Sequence, residues 1–121
     1  MVLTKKVRPV NSLLFISDQD GGEPPIPVRG AMLLSTPSCI SVVCYPEQDG
    51  PTELILGDMA DVDPGFTPLF DGELLTPSGT VVVSTAALES LLEARVPKTK
   101  THVRIWTNDP RWPDKVIVGV R

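Results

Sequence analysis

The stretch TVVVSTAALESLLEARVPKTKTHVRIWTNDPRWPDKVIVGVR, residues 80–121, decides the fold class. Residues 80–83 are rich in β-branched side chains and follow a Pro-Ser-Gly turn, which predicts a strand. Residues 102–106 and 115–120 alternate between apolar and other side chains and predict two further strands. The loop between them holds two prolines, so we expect these two strands to form a hairpin.

A short helix is predicted at residues 86–95, between the first two of these strands. Leu88, Leu91 and Leu92 have the i, i+3, i+4 spacing of one apolar helix stripe, and Pro97 would end the helix. A helix of this length is marginal alone in water, so its leucines would have to rest on a sheet.

The rest of the chain supplies further short segments of strand character. They lie at residues 7–10, 12–17, 28–35, 39–45, 52–56 and 69–75. We therefore predict a mainly β protein, an antiparallel two-sheet β-sandwich of about eight short strands with one short helix. The alternative is an α+β arrangement in which one helix packs on a sheet. By length, residues 1–121 form one domain, with residues 1–11 as a flexible or edge-strand start.

The charge of the chain restricts its partners. The formal net charge is −4 and the pI is near 4.8. General attraction to phosphate backbones is therefore not expected, whereas a basic protein partner is readily accommodated. We predict a protein partner, no nucleic acid and no membrane, and we keep a homodimer open.

The two cysteines and the N-terminal sequence indicate the cytoplasm. If Cys39 and Cys44 share one strand, they lie roughly 16 Å apart, beyond the reach of a disulfide. No signal peptide or membrane span is visible, because the apolar run at residues 13–16 is too short.

Two acidic loops, residues 18–27 and 57–68, raise the question of metal binding. Asp18 and Asp20 precede a Gly-Gly pair in the manner of a calcium loop, but the full ligand spacing is missing. If both loops lay at one end of the sandwich they could share an ion, and otherwise they are solvated turns. We predict no metal and no cofactor.

His102 is the only imidazole, which excludes any site that needs two histidine ligands. No nucleophile elbow or phosphate-binding loop motif is present. We predict no catalytic residue, and keep as an alternative a ligand pocket or active site lined by His102, Arg104, Trp106 and one acidic loop.

The hairpin loop and its flank hold the best candidates for binding. Trp and Arg are enriched where interfaces concentrate their energy, although these side chains could also pack on the protein itself or stack on a sugar or base. The predicted binding residues are Trp106, Asp109, Arg111, Trp112, Asp20 and Asp61.

The order strand, short helix, Val-Pro-Lys, strand ending in Trp-Thr, loop and Val-rich strand spans the last third of the chain. In this order and in the words Pro97-Lys98 and Trp106-Thr107, it resembles the C-terminal part of the small bacterial competence nuclease-inhibitor family. The resemblance implies an acidic protein that binds a nuclease and has no catalytic activity of its own. A structural homo-oligomer without a ligand is the remaining alternative.

Overall fold

A computed structural model describes all residues 1–121 and contains two five-stranded sheets. The elements in chain order are β1 Val2–Val7, β2 Leu13–Asp18, β3 Leu33–Thr36, β4 Cys39–Val43, β5 Thr52–Asp58, α1 Met59–Val62, β6 Phe70–Leu75, β7 Thr80–Thr85, β8 Ser90–Arg95, β9 Lys100–Thr107 and β10 Lys115–Val120. The prediction of a mainly β fold is confirmed, with ten strands where about eight were expected.

Sheet A has the strand order β1-β5-β10-β9-β6, and sheet B has the order β3-β4-β2-β7-β8. Every neighbouring pair is antiparallel except β5 and β10, which run parallel. Parallel neighbours need a long crossover, and here the chain adds β6, passes through sheet B and returns before it forms β10. The predicted β9–β10 hairpin is present.

The main core lies between the sheets and contains 18 buried residues. The alternation of the strands explains it, because Leu14 and Ile16 of β2 and Val116 and Val118 of β10 are all fully buried. These side chains point inward, whereas the residues between them belong to the outer faces of the sheets.

The predicted helix at residues 86–95 is wrong. Its second half is strand β8, which pairs with β7, and its first half is the turn between them. Ala94 is buried in the main core and Leu92 packs against it, a period of two that a strand satisfies. Leu88 has a left-handed φ of 65° and is 89% exposed, so the leucine stripe never forms.

The helix that does form is α1, a single turn inside the second acidic loop, and it covers the outer face of sheet A. Met59 and Val62 of α1 form a second buried cluster with Trp106 and Ile117. Gly119 makes the close approach possible, since a Cβ there would lie 3.0 Å from the Trp106 ring and 3.2 Å from Met59 Cα. No helix in the chain has the length and apolar character needed to cross a bilayer.

Two strand boundaries also differ from prediction. The first strand is Val2–Val7, which pairs antiparallel with β5, so the edge strand expected at residues 7–10 lies earlier and includes only Val7 of that range. The strand expected at 28–35 is limited to Leu33–Thr36.

Candidate functional site

The loop between β9 and β10 is held in one shape by its own polar side chains. Asp109 Oδ1 accepts hydrogen bonds from the backbone N–H of Trp112, at 2.9 Å, and of Arg111, at 2.8 Å. Asn108 donates its side-chain N–H to Asp114 at 2.6 Å and accepts from the N–H of Lys115 at 3.1 Å. These bonds close a turn of defined shape, so the loop presents its side chains without a large ordering cost.

The hydrogen bonds of this turn change the pKa of the Asp109 carboxyl group. The bond from the Trp112 N–H, followed by that from the Arg111 N–H, lowers the pKa of Asp109 below its usual value. Asp109 therefore stays ionised and acts as the anchor of the loop, while the Trp112 side chain is 49% exposed.

Trp106 is not a surface residue. Its side chain is 1% exposed and lies in the cluster beneath α1, where its indole N–H donates to the backbone oxygen of Phe66 at 2.9 Å. Of the roles considered for Trp106, packing is the one observed, although it fills the outer cluster and not the core between the sheets. Trp106 therefore positions the segment that carries Phe66.

Two further apolar residues are exposed at the same end of sheet A as the Trp112 loop, and sequence reasoning missed both. Phe66 is 52% exposed and Leu69 is 45% exposed, and the Leu69 N–H donates to the Ile105 oxygen of β9. Residues 63–69 lead into β6 at the end of sheet A where β9 finishes, and the Trp112 loop follows β9 there. We call Phe66, Leu69 and Trp112 the aromatic surface. Its sequence signal was a Phe and a Leu in a loop, residues 63–69, that is otherwise Asp, Pro, Gly and Thr.

Carboxylates surround the aromatic surface. Asp63 caps the turn before Phe66 by accepting from the Gly65 N–H at 2.8 Å, and Asp109 and Asp114 lie in the neighbouring loop. Asp61 on α1 lies farther away, at the end of sheet A where β5 and β10 finish, and contacts the amino group of Met1 at 3.1 Å. Arg111 is exposed in the Trp112 loop, so charges of both signs lie beside the aromatic surface.

Asp20 is separated from these residues. Its loop follows β2 and packs on sheet B, where the Glu23 N–H donates to Ser38 and the Thr36 hydroxyl donates to the Glu23 oxygen. Residues 57–68 lie on the outer face of sheet A instead. The two acidic loops thus pack on different sheets, and the structure does not bring Asp20 and Asp61 together.

This placement also answers the question of a shared ion. Asp18 is buried and accepts from the backbone and hydroxyl of Ser78, at 3.0 Å and 2.8 Å, and from the Asp20 N–H at 2.9 Å. The hydrogen bonds from Ser78 to Asp18 hold the end of β2 against the turn before β7. No group of three or more His, Cys, Asp or Glu side chains is arranged to hold a metal ion.

His102 belongs to a row of charged side chains on the outer face of sheet A. Its Nε2 lies 2.5 Å from Asp71 Oδ1, and Arg104 donates to the other Asp71 oxygen at 3.1 Å. The bond from His102 is the largest cause that lowers the pKa of Asp71. Arg121 donates to His102 Nδ1 at 3.0 Å, so the proton of the neutral ring lies on Nε2.

These contacts bear on the alternative of a pocket around His102. Both ring nitrogens are engaged by charged side chains, and no serine or cysteine contacts them. Trp106 is covered by α1 and does not line the groove beside His102. Burial raises the pKa of Cys39 and of Cys44 to about 11, so both thiols are protonated near neutral pH and are poor nucleophiles.

Comparison with known proteins gives one likeness. No protein-family model matches the chain, and no curated protein matches it either. Among solved structures, the chain is similar to ComJ, an inhibitor of the DNA degrading activity of NucA, from Bacillus subtilis, with a TM-score of 0.70 and 9% sequence identity. The match covers 99% of this chain and 97% of ComJ, so the likeness extends over the whole fold and not only the last third. The chain therefore shares the two-sheet fold of a nuclease inhibitor.

Proposed function

We propose that this protein is an inhibitor that acts by binding another protein, and that its partner is a nuclease. The aromatic surface carries the proposal, because half-exposed Phe66, Leu69 and Trp112 are held by hydrogen-bonded loops at one end of sheet A. Large apolar groups in a fixed geometry are typical centres of protein interfaces. The fold shared with ComJ, an inhibitor of a nuclease by its description, supports the same conclusion.

The charge around this surface favours a basic partner. Asp63, Asp109 and Asp114 lie in the loops that carry it, and the whole chain has a net charge of −4. Carboxylates that face a basic surface accelerate encounter and oppose wrong partners. A nuclease attracts the phosphates of DNA, so a negative surface that covers its cleft competes with the substrate for the same charges.

The proposed mechanism is contact without bond-making. The partner would bury the aromatic surface, and the surrounding carboxylates would fix its orientation, with no cofactor and no nucleic acid or membrane involved. We propose the cytoplasm as the place of action. Inhibition would then be stoichiometric and would weaken with salt, because charge pairs at the rim of an interface are screened.

The experiment is capture followed by inhibition. The full chain is immobilised at low salt, the retained protein is purified, and its DNA degradation is measured as the free chain is added. We expect activity to fall to near zero at about one equivalent. Retained proteins that do not degrade DNA, or that keep full activity at saturating chain, would refute the nuclease proposal.

A matched pair of charge reversals tests which face is used. Asp61→Lys changes the charge on the outer side of sheet A, and Asp20→Lys makes the same change on the side of sheet B. We expect Asp61→Lys to slow association about tenfold at low salt and Asp20→Lys to leave it within twofold. Equal effects of the two reversals on the association rate would contradict the proposal that the partner binds on the side of sheet A.

A second copy of this chain remains the alternative occupant of the aromatic surface. Light scattering during size-exclusion chromatography distinguishes the two readings, because a 13.1 kDa monomer leaves the surface free for another protein. A dimer that dissociates on Trp112→Ala would favour self-association.

A further inference from the structure

A second surface of opposite charge lies on sheet A, away from the hairpin loop. It is an open groove of about 520 Å³ with no hydrophobic residue in its lining. It is lined by Gly72, Glu73, Lys98, Lys100, His102 and Arg121. None of these residues belongs to the aromatic surface.

The groove is positive within an acidic protein. Lys98, Lys100 and Arg121 take no part in the ion pairs of the structure, which involve Met1, His102, Arg104 and Lys115. Glu73 is the only acidic side chain in the lining, and the α-carboxylate of Arg121, the last residue, adds a second negative charge. The side chains of Lys98, Lys100 and Arg121 against these two carboxylates leave 3 − 2 = +1 in the groove, whereas the side chains of the whole chain sum to −4.

The backbone beneath these cations is fixed. The buried hydroxyl of Thr76 donates to the Lys98 oxygen at 2.8 Å and pairs with the Thr101 hydroxyl, which ties the turn before β9 to the end of β6. Arg121 exchanges both backbone hydrogen bonds with His102, and its guanidinium also donates to the His102 ring at 3.0 Å. Hydrogen bonds therefore hold the backbone that lines the groove, although its lysine side chains are exposed.

The carboxylate next to the groove does not neutralise it. Asp71 contacts His102 at 2.5 Å and Arg104 at 3.1 Å, and the charge of Arg104 offsets that of Asp71. An anion that entered the groove would meet two ammonium groups and one guanidinium, opposed by Glu73 and the α-carboxylate of Arg121.

We propose that this groove binds a compact phosphate-bearing anion, a site independent of the protein-binding function proposed above. Lysine provides a point charge for phosphate, and arginine provides a fork that can bind two of its oxygens. The excess of cations over carboxylates in the groove favours an anion of this kind. A long nucleic acid is disfavoured, because it would extend beyond the groove onto an acidic surface.

Pyrophosphate is the probe, added to the ¹⁵N-labelled full chain at low salt while amide chemical shifts are recorded. We expect saturable shifts confined to residues 72–73, 98–102 and 120–121. Lys98→Ala and Lys100→Ala should each weaken binding about two- to fivefold, the range typical of one exposed charge. Glu73→Gln should tighten binding by a similar factor, because it removes the one acidic side chain that opposes the anion.

The matched control is Lys5→Ala, which removes a lysine from the edge strand β1 and should leave pyrophosphate affinity unchanged. Thermal melts establish that each variant is folded. Shifts spread over residues 5–8, no saturation, or no gain from Glu73→Gln would overturn the proposal. Tighter binding of a single-stranded oligonucleotide than of pyrophosphate would also contradict it. None of these results depends on nuclease inhibition, so the two proposals fail separately.

Discussion

Replacement of Trp112 by alanine removes the largest exposed side chain of the aromatic surface. Trp112 is 49% exposed, and a tryptophan buries up to about 250 Å², so roughly 120 Å² remains for a partner to cover. At about 25 cal/mol per Å² this area corresponds to about 3 kcal/mol, or about a 100-fold weaker Kd.

The free protein should tolerate the same change. The bonds that shape the loop run from backbone N–H groups to Asp109 and do not involve the indole. The half of the indole that is already buried corresponds to about 3 kcal/mol by the same coefficient, so we expect the free energy of unfolding of Trp112→Ala to fall by no more than that, with the fold retained.

The assay is calorimetric titration of the captured nuclease with the parent chain, with Trp112→Ala and with Ile26→Ala. Ile26 is 85% exposed in the loop on sheet B, so its truncation serves as the matched control. A Kd for Trp112→Ala within threefold of the parent value would refute the reasoning, as would an equal loss from Ile26→Ala.

Three further predictions concern stability and pH. Gly119→Val should lower the free energy of unfolding by about 1–3 kcal/mol in urea denaturation, because its side chain would press on Trp106 and α1. The pKa of Asp109 is depressed in the folded loop, so the loop geometry should persist from neutral pH to below pH 4 and be lost as pH falls further, which NMR shifts of the loop amides would show. Burial raises the pKa of the thiols of Cys39 and Cys44 from 9.0 to about 11. Their stabilising contribution is therefore complete below pH 9 and lost as pH rises toward 11, which denaturation midpoints measured across this window would test.

The sequence was sufficient for the fold class because strands leave a period-two signal. In β2 and β10 the buried side chains alternate, and the core between the sheets follows directly from that pattern. The helix predicted at residues 86–95 was wrong because the three leucines there also fit a helical period. The strand forms because it places both Leu92 and Ala94 against the core, and Leu88 has a left-handed φ that a helix does not allow.

The candidate site was only partly predictable. The hairpin loop could be located from its prolines and Asx residues, and Trp112 is exposed there. The burial of Trp106 depends on α1, a single helical turn too short to leave a periodic signal. The separation of Asp20 from Asp61 depends on which sheet each loop covers, and strand order is not encoded in local patterns.

Hydroxyl-radical footprinting of the complex tests the central claim most directly. In the free protein, Phe66, Leu69 and Trp112 should be oxidised and the buried Trp106 should not. In the complex with the nuclease, the account predicts that the three residues of the aromatic surface become protected while Ile26 stays reactive. Protection of Ile26 with unchanged oxidation of Trp112 would contradict it.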